Sequence, residues 1–231
     1  MSATRNPGRV AGFWYLLLVI LAPLRLEYIP DKLFVPDNAA ATINNILANE
    51  TLFRSGMVSD LAAGVVLIFL VLAFYRLFES VDKNLAIQVV IFGGVLPAVI
   101  DFVNVVTDAG ALTVARGANL LAAFDKPQRD ALAMLLLRLH DHQVTAAEIL
   151  WGVWLIPLAI LVYRSGFLPR FLGVWLVING IAYVLLSLTG LLLPQFYGNA
   201  FSISQPALFG EVALMLWLVI RGAIPAALDK G

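Results

Sequence analysis

The amino-acid sequence predicts an all-α fold, a polytopic membrane bundle of six transmembrane helices with short interfacial helices on the outer side, forming a single integral membrane domain over residues 1–231. Three observations predict it. Only 13% of the chain is charged while 61% is hydrophobic, and the mean hydropathy is +0.90, which no soluble surface could accommodate. Six apolar segments fall near 10–29, 56–76, 85–107, 143–163, 171–193 and 206–221, each close to the roughly 20 residues that cross a bilayer core. The connections on one side are short and, with the adjoining span end at Arg76, hold eight of the fifteen Lys and Arg residues. Because an unpaired backbone amide in lipid is so costly, spans of this kind are helices rather than open sheet.

Composition also excludes functions. A formal net charge of zero without a Lys/Arg block leaves no footprint for nucleic acid. Zero cysteines remove disulfides, thiolate metal sites and Cys nucleophiles.

The first segment follows a basic start, as in a secretory signal, but no small-x-small cleavage site follows and the run continues through Arg25 and Glu27. It therefore reads as a retained first helix. After it, region 30–55 holds DNAAATINNILANETLF, where Ile43, Ile46 and Leu47 recur at i, i+3 and i+4. This predicts a short surface helix capped by Asp37. Region 108–142 contains two apolar pieces, 111–124 and 131–139, parted by DKPQRD, where Pro127 would open a new helix. A single helix over 127–163 would be roughly 55 Å long at about 1.5 Å per residue. Such a helix exceeds the bilayer, so part of it must project or bend. Gly166 and Pro169 in YRSGFLPR predict the turn before the fifth span.

Orientation follows from the basic residues. Arg5, Arg9, Arg76, Lys83, Arg164, Arg170, Arg221 and Lys230 are packed into short connections on one side, which places both termini in the cytoplasm and the protein in the cytoplasmic (inner) membrane. Among the acids only Glu79, Asp82 and Asp229 share that side. The others lie in the outer loops or the outer parts of the spans.

A charge inside a span costs about 2.5 to 3.5 kcal/mol or more, which makes each one a functional candidate. The candidates are Arg25, Glu27, Asp60, Asp101, Asn104, Asp108, Asp141, His142, Glu148 and Glu211. The first and third helices run outward and carry them late, whereas the second, fourth and sixth run inward and carry them early. All therefore converge on the outer half of the bundle. On the third helix Pro97, Asp101, Asn104 and Asp108 share one face. On the fourth, Asp141, Thr145, Glu148 and Gly152 occupy a sector of roughly 60°, with Arg138 and His142 at its flank. Glu27, Asp108 and Asp141 are expected near water, with the arginines available as partners.

The stretch LRLHDHQ, 137 to 143, resembles a two-histidine metal motif only until its geometry is considered. Positions i and i+2 of a helix project about 200° apart, so His140 and His142 cannot both face one ion. His142 borders the acidic sector and is the best single metal candidate, while His140 is expected to face elsewhere. No cofactor is predicted, and a divalent metal would need carboxylates from other helices. Asn49-Glu50-Thr51 matches a glycosylation sequon without further support. Gly93-Gly94, and Gly173 with Gly180 or Gly190, fit close helix packing.

These residues lead to an outward-facing acidic pocket lined by Glu27, Asp60, Asp101, Asn104, Asp141, His142, Glu148 and Glu211 that binds a small ligand, cation or lipid headgroup, in a binding protein rather than an enzyme. Three rival readings remain open: an intramembrane hydrolase or transferase acting on lipid, a subunit of a larger membrane complex or homo-oligomer, and a proton- or cation-coupled transporter. The last requires a polar route through the inner half, where the sequence offers little beyond Asn179.

Four stretches, RVAGFWYLLLVILAP, VPDNAAATINNILANETLFRSGMVSDL, YRSGFLPRFLGVWLVINGIAYV and GEVALMLWLVIRG, resemble a bacterial family of small six-helix integral membrane proteins known only as a domain of unknown function. The resemblance covers nearly the whole chain, with YRSGFLPR and the later Gly-Glu as its most specific parts. It implies six membrane helices with an outer segment after the first, and it assigns no activity and no catalytic residue.

Overall fold

The computed structural model describes residues 6–118 and 121–224. Arg5, Asp229 and Lys230, which enter the charge asymmetry, lie outside the described residues. Among the described residues every regular element is helical and none is a strand. Six helices are long and apolar enough to cross a membrane: α1 (Pro7–Leu33), α3 (Glu50–Phe78), α4 (Lys83–Arg116), α5 (Lys126–Arg164), α6 (Arg170–Leu192) and α7 (Pro194–Ile220). A shorter helix, α2 (Ala39–Ala48), follows α1. The protein is thus a polytopic helical membrane protein. Large side chains such as Leu192 and Ile203 are exposed on its helices, as lipid-facing surfaces require.

The helices outrun the apolar windows. The segment 108–116, expected outside the third span, continues α4 to Arg116, where Gly117 at φ +71 ends it in the left-handed conformation. Residues 126–164 form one continuous helix of 39 residues, about 58 Å at 1.5 Å per residue, with Pro127 in its first turn. Residues 194–205, expected as a loop, open α7. Hydropathy finds the apolar centre of a helix, but polar residues such as Asp108 or Arg129 continue it without cost to the backbone ladder. As expected, Gly166 (φ +74) turns the chain before α6.

Two helices contain a π-helical turn, Leu24–Tyr28 in α1 and Ile91–Val95 in α4. Each is centred four residues before a proline, Pro30 and Pro97. A proline cannot donate to the carbonyl four residues back, and its ring crowds that carbonyl. In both helices the residue preceding the proline donates instead to the carbonyl five back: Ile29 to Leu24 and Leu96 to Ile91. The wider turn absorbs the proline without ending the helix.

The described chain groups into two compact units. The first consists of the described parts of Met1–Leu18, Val65–Ala98 and Thr145–Gly231, and the second of the described parts of Val19–Gly64 and Val99–Val144. Within the first unit, Leu70, Phe74, Leu155, Leu158, Leu176 and Leu214 are buried. Small residues set its closest approaches: a Cβ on Gly173 would stand 2.8 Å from the Ala159 carbonyl oxygen, and one on Gly190 would stand 2.4 Å from Thr145 Cγ2. The glycines predicted to serve close packing do so.

Within the second unit, Ile29 and Leu33 of α1, Ile43 and Ile46 of α2, Phe53 of α3, Ala111, Leu112 and Ala115 of α4, and Ala133 and Leu137 of α5 form one apolar core. The predicted surface helix α2 buries Ile43 and Ile46, with Leu47 packed beside them. Its cap is Asn38 rather than Asp37: Asn38 Oδ1 accepts from the Ala41 amide at 2.9 Å, whereas Asp37 sits at φ +54 in the preceding turn. An aspartate in the left-handed conformation makes the turn, so the capping role passes to the next residue. Thr42 Oγ accepts from the Val35 amide at 2.8 Å, and Asn45 Nδ2 donates to the Leu33 carbonyl at 3.1 Å, which ties α2 to the end of α1. Asn38→Ala removes one cap acceptor and lowers stability by about 1 kcal/mol; chemical denaturation in detergent measures it, and an unchanged midpoint contradicts the assignment.

Candidate functional site

The polar residues of the second unit are organised by one buried charge pair. Arg25 Nε donates to Asp108 Oδ2 at 2.6 Å and Nη2 donates to Oδ1 at 2.8 Å, and both side chains are essentially inaccessible, at 1% and 0% exposure. Such a two-pronged pair uses the planar guanidinium to satisfy both carboxylate oxygens. The guanidinium carbon lies 5.7 Å from the centre of the Phe34 ring and 5.9 Å from that of Phe53, so the cation is screened by aromatic faces.

The local backbone explains how Arg25 arrives there. Arg25 and Ile29, four apart across the π-helical turn, are both buried, while Glu27 is exposed. Gly56 on α3 makes room: a Cβ there would stand 2.2 Å from Ile29 Cδ1 and 3.3 Å from Arg25 Cδ. Ser59, one turn along α3, donates to the Leu21 carbonyl at 2.8 Å.

Around this pair stand His140, Asp60, Asn104, Asp101 and Asp141. His140 is 1% exposed and its Nδ1 lies 3.2 Å from Asp108 Oδ1, without hydrogen-bond alignment. Asp60 is within electrostatic reach of His140, Arg25, Asp108 and Asp101, and Asp141 within reach of Arg25, His140 and Asp108. Asn104 is buried between Asp101 and Asp108 on the predicted face of α4. Three carboxylates, Asp60, Asp108 and Asp141, thus face one arginine and one histidine, with Asp101 beside Asp60. Asp60 Oδ2, Asn104 Oδ1 and both ring nitrogens of His140 are buried without a hydrogen-bonding partner in the protein.

Two expectations are reversed. Asp108, expected near water, is completely buried, because α4 runs two turns past it and places it in the body of the helix. The histidine turned into the cluster is His140, whereas His142 is exposed. The inward face of α5 is set by Asp130, Ala133, Leu137 and His140, all buried at helical spacing, and not by the polar sector that includes Asp141. That stripe becomes visible once the apolar face of a helix over 127–163, rather than its acidic sector, is taken as the inward one. Arg25, a candidate in the sequence but not among the expected pocket-lining residues, also belongs to the cluster.

Glu148 and Glu211 belong to the first unit. Tyr15 Oη donates to Glu211 Oε1 at 2.5 Å, and Tyr183 and Asn179 also hydrogen-bond this carboxylate. Tyr197 Oη donates to Glu148 Oε1 at 2.5 Å. Sequence reasoning found the acids and not the tyrosines, which carry no charge and sit among other aromatics. Among the described residues no group of three or more His, Asp or Glu side chains is arranged to hold a metal ion.

Comparison with known proteins places the chain in a family and adds no activity. An uncharacterized protein of Archaeoglobus fulgidus is 38% identical over 92 residues, which covers 38% of this chain and 54% of that protein. The chain thus spans about half the length of the curated relative it matches. No solved structure matches it. The model of the family described as Domain of unknown function (DUF4386) matches residues 10–222, nearly the whole chain, and the protein belongs to that family.

Proposed function

We propose that this protein binds a small cationic ligand that donates hydrogen bonds, an amine or an amine-bearing lipid headgroup, at the acidic cluster of the second unit. The observation that carries the reading is the pair of unpartnered acceptors, Asp60 Oδ2 and Asn104 Oδ1, beside an arginine already committed to Asp108. Buried acceptors without donors are costly, and excess carboxylate favours a positive guest. Asp101 and Asp141 add negative charge at its edge. Arg9, Arg76, Lys83, Arg164, Arg170 and Arg221 support an orientation with both termini in the cytoplasm and this cluster facing outward.

Thermal denaturation of detergent-purified protein with ethanolamine, choline and putrescine, and in nanodiscs with or without phosphatidylethanolamine, tests the reading. At least one amine stabilises the wild type saturably, by about 2.7 kcal/mol at a hundredfold excess over Kd, and Asp60→Asn loses the effect while keeping its fold. A response to the lipid but not to soluble amines identifies a headgroup. If no amine or lipid shifts the transition, or if Asp60→Asn responds like the wild type, the reading fails.

A further inference from the structure

The first unit contains a second polar feature, independent of the cluster around Arg25. Glu148 is 3% exposed, and while its Oε1 accepts from Tyr197, its Oε2 is buried without a partner. Among the described residues neither Glu148 nor Glu211 has a Lys, Arg or His ion-pair partner. The two acids differ in what holds them. Glu211 accepts from Tyr15 and lies within reach of Tyr183 and Asn179, whereas Glu148 has one donor and a bare oxygen.

A second observation comes from α6. Ser187 is 1% exposed and its hydroxyl has no partner. A serine within a helix usually bonds back to the carbonyl four residues earlier, as Ser202 does with Gly198 at 2.9 Å and Thr107 with Val103 at 2.9 Å. Ser187 does not, so its hydroxyl is turned away from its own backbone. The packing of α5 on α6 locates what it meets. A Cβ on Gly152 would stand 2.6 Å from Val184 Cγ2, and one on Gly190 2.4 Å from Thr145 Cγ2. The helices are therefore antiparallel here, with Gly152 level with Val184 and Thr145 level with Gly190. Glu148, between Thr145 and Gly152, falls level with Ser187, between Val184 and Gly190. Tyr183, one turn before Ser187 on the same face, is within electrostatic reach of Glu148, Tyr197 and Glu211.

We propose that Glu148 and Ser187, with the hydroxyl of Tyr197, form a site for a monovalent metal cation of the sodium class. The donors are oxygen throughout, which suits a hard cation. The charge is one carboxylate at the site and a second, Glu211, linked through Tyr183, with no basic side chain in opposition. A divalent ion would call for the denser carboxylate grouping that is absent among the described residues. The cation neutralises Glu148 and gives the bare Oε2 and the Ser187 hydroxyl a shared partner.

The experiment is thermal denaturation of the full chain in detergent, titrating sodium chloride, potassium chloride or lithium chloride against N-methylglucamine chloride at constant ionic strength and fixed pH. Sodium raises Tm saturably in the wild type and in the exposed-site control Glu79→Gln. Glu148→Gln and Ser187→Ala, which conserve or reduce volume, lose the saturable rise. Circular dichroism at low temperature shows whether each variant is folded, and Tyr197→Phe, with at least a tenfold weaker sodium response, serves as the second reading if Glu148→Gln does not fold. Equal Tm in all four salts, or an undiminished sodium response in folded Glu148→Gln, overturns the proposal. A Tm that depends on pH but not on the cation likewise overturns it, in favour of a proton on Glu148.

Discussion

Arg25→Met lowers the stability of the protein by about 3–5 kcal/mol, the cost of leaving a buried carboxylate without its partner. Asp108 is completely inaccessible and takes both of its short hydrogen bonds from this guanidinium, and His140 at 3.2 Å is misaligned to replace them. The loss is therefore not shared out to water. Arg25→Lys recovers only part of it, because an ammonium cannot occupy both carboxylate oxygens in the planar geometry and does not stack on Phe34 and Phe53 in the same way. The double variant Arg25→Met with Asp108→Leu is more stable than Arg25→Met alone, since removing both charges removes the uncompensated one. Denaturant titration of the three variants measures these differences. If Arg25→Met costs less than about 1 kcal/mol, as an exposed pair would, the pair does not organise the second unit.

The pair also shows where reading the sequence stopped. Number, type and order of the membrane helices were legible because twenty-residue apolar runs have few other physical outcomes. The shared face of Asp101, Asn104 and Asp108 was legible for a similar reason, since helical periodicity does not depend on where the helix ends. Depth does depend on it. With the third helix stopped at 107, Asp108 looks like an end residue in water; with Arg116 as the last residue it is interior. The sequence turns His140 out of the cluster for another reason: the acidic sector from Asp141 to Gly152 reads as the inward face, whereas the buried stripe runs through Asp130, Ala133, Leu137 and His140. The π-helical turn at Leu24–Tyr28 adds a residue to the helix, so a constant 100° per residue would misplace Arg25 relative to Glu27. Pro30 is its only trace in the sequence. The tyrosines holding Glu148 and Glu211 had no signal at all, because a phenol that donates one hydrogen bond reads as one more aromatic in an apolar helix.

Replacing Gly152 with valine separates α5 from α6 and removes the folded state of the first unit from the detergent-stable population. A Cβ at Gly152 would stand 2.4 Å from the Gly180 carbonyl oxygen and 2.9 Å from the Val184 amide nitrogen, and a Cβ at Gly180 would stand 2.8 Å from the Gly152 carbonyl oxygen. These are backbone atoms on both sides, so no side chain can rotate to relieve the overlap and a helix must move. Overpacking costs about 1–3 kcal/mol where side chains can adjust; here alanine reaches the upper part of that range and valine exceeds it. Gly198 supplies the opposite case. It lies in α7 with nothing within 4 Å of a would-be Cβ, so Gly198→Ala gains helix propensity of up to about 1 kcal/mol. Size-exclusion profiles and melting curves of the two alanine variants should therefore move in opposite directions. Equal behaviour would mean that α5 and α6 do not approach as closely as these glycines require. Because Glu148 is one turn from Gly152 and Ser187 less than one turn from Val184, a Gly152→Ala protein that still folds also loses its sodium response, whereas Gly198→Ala keeps it. A loss of stability with an intact sodium response would place the cation away from the α5–α6 contact.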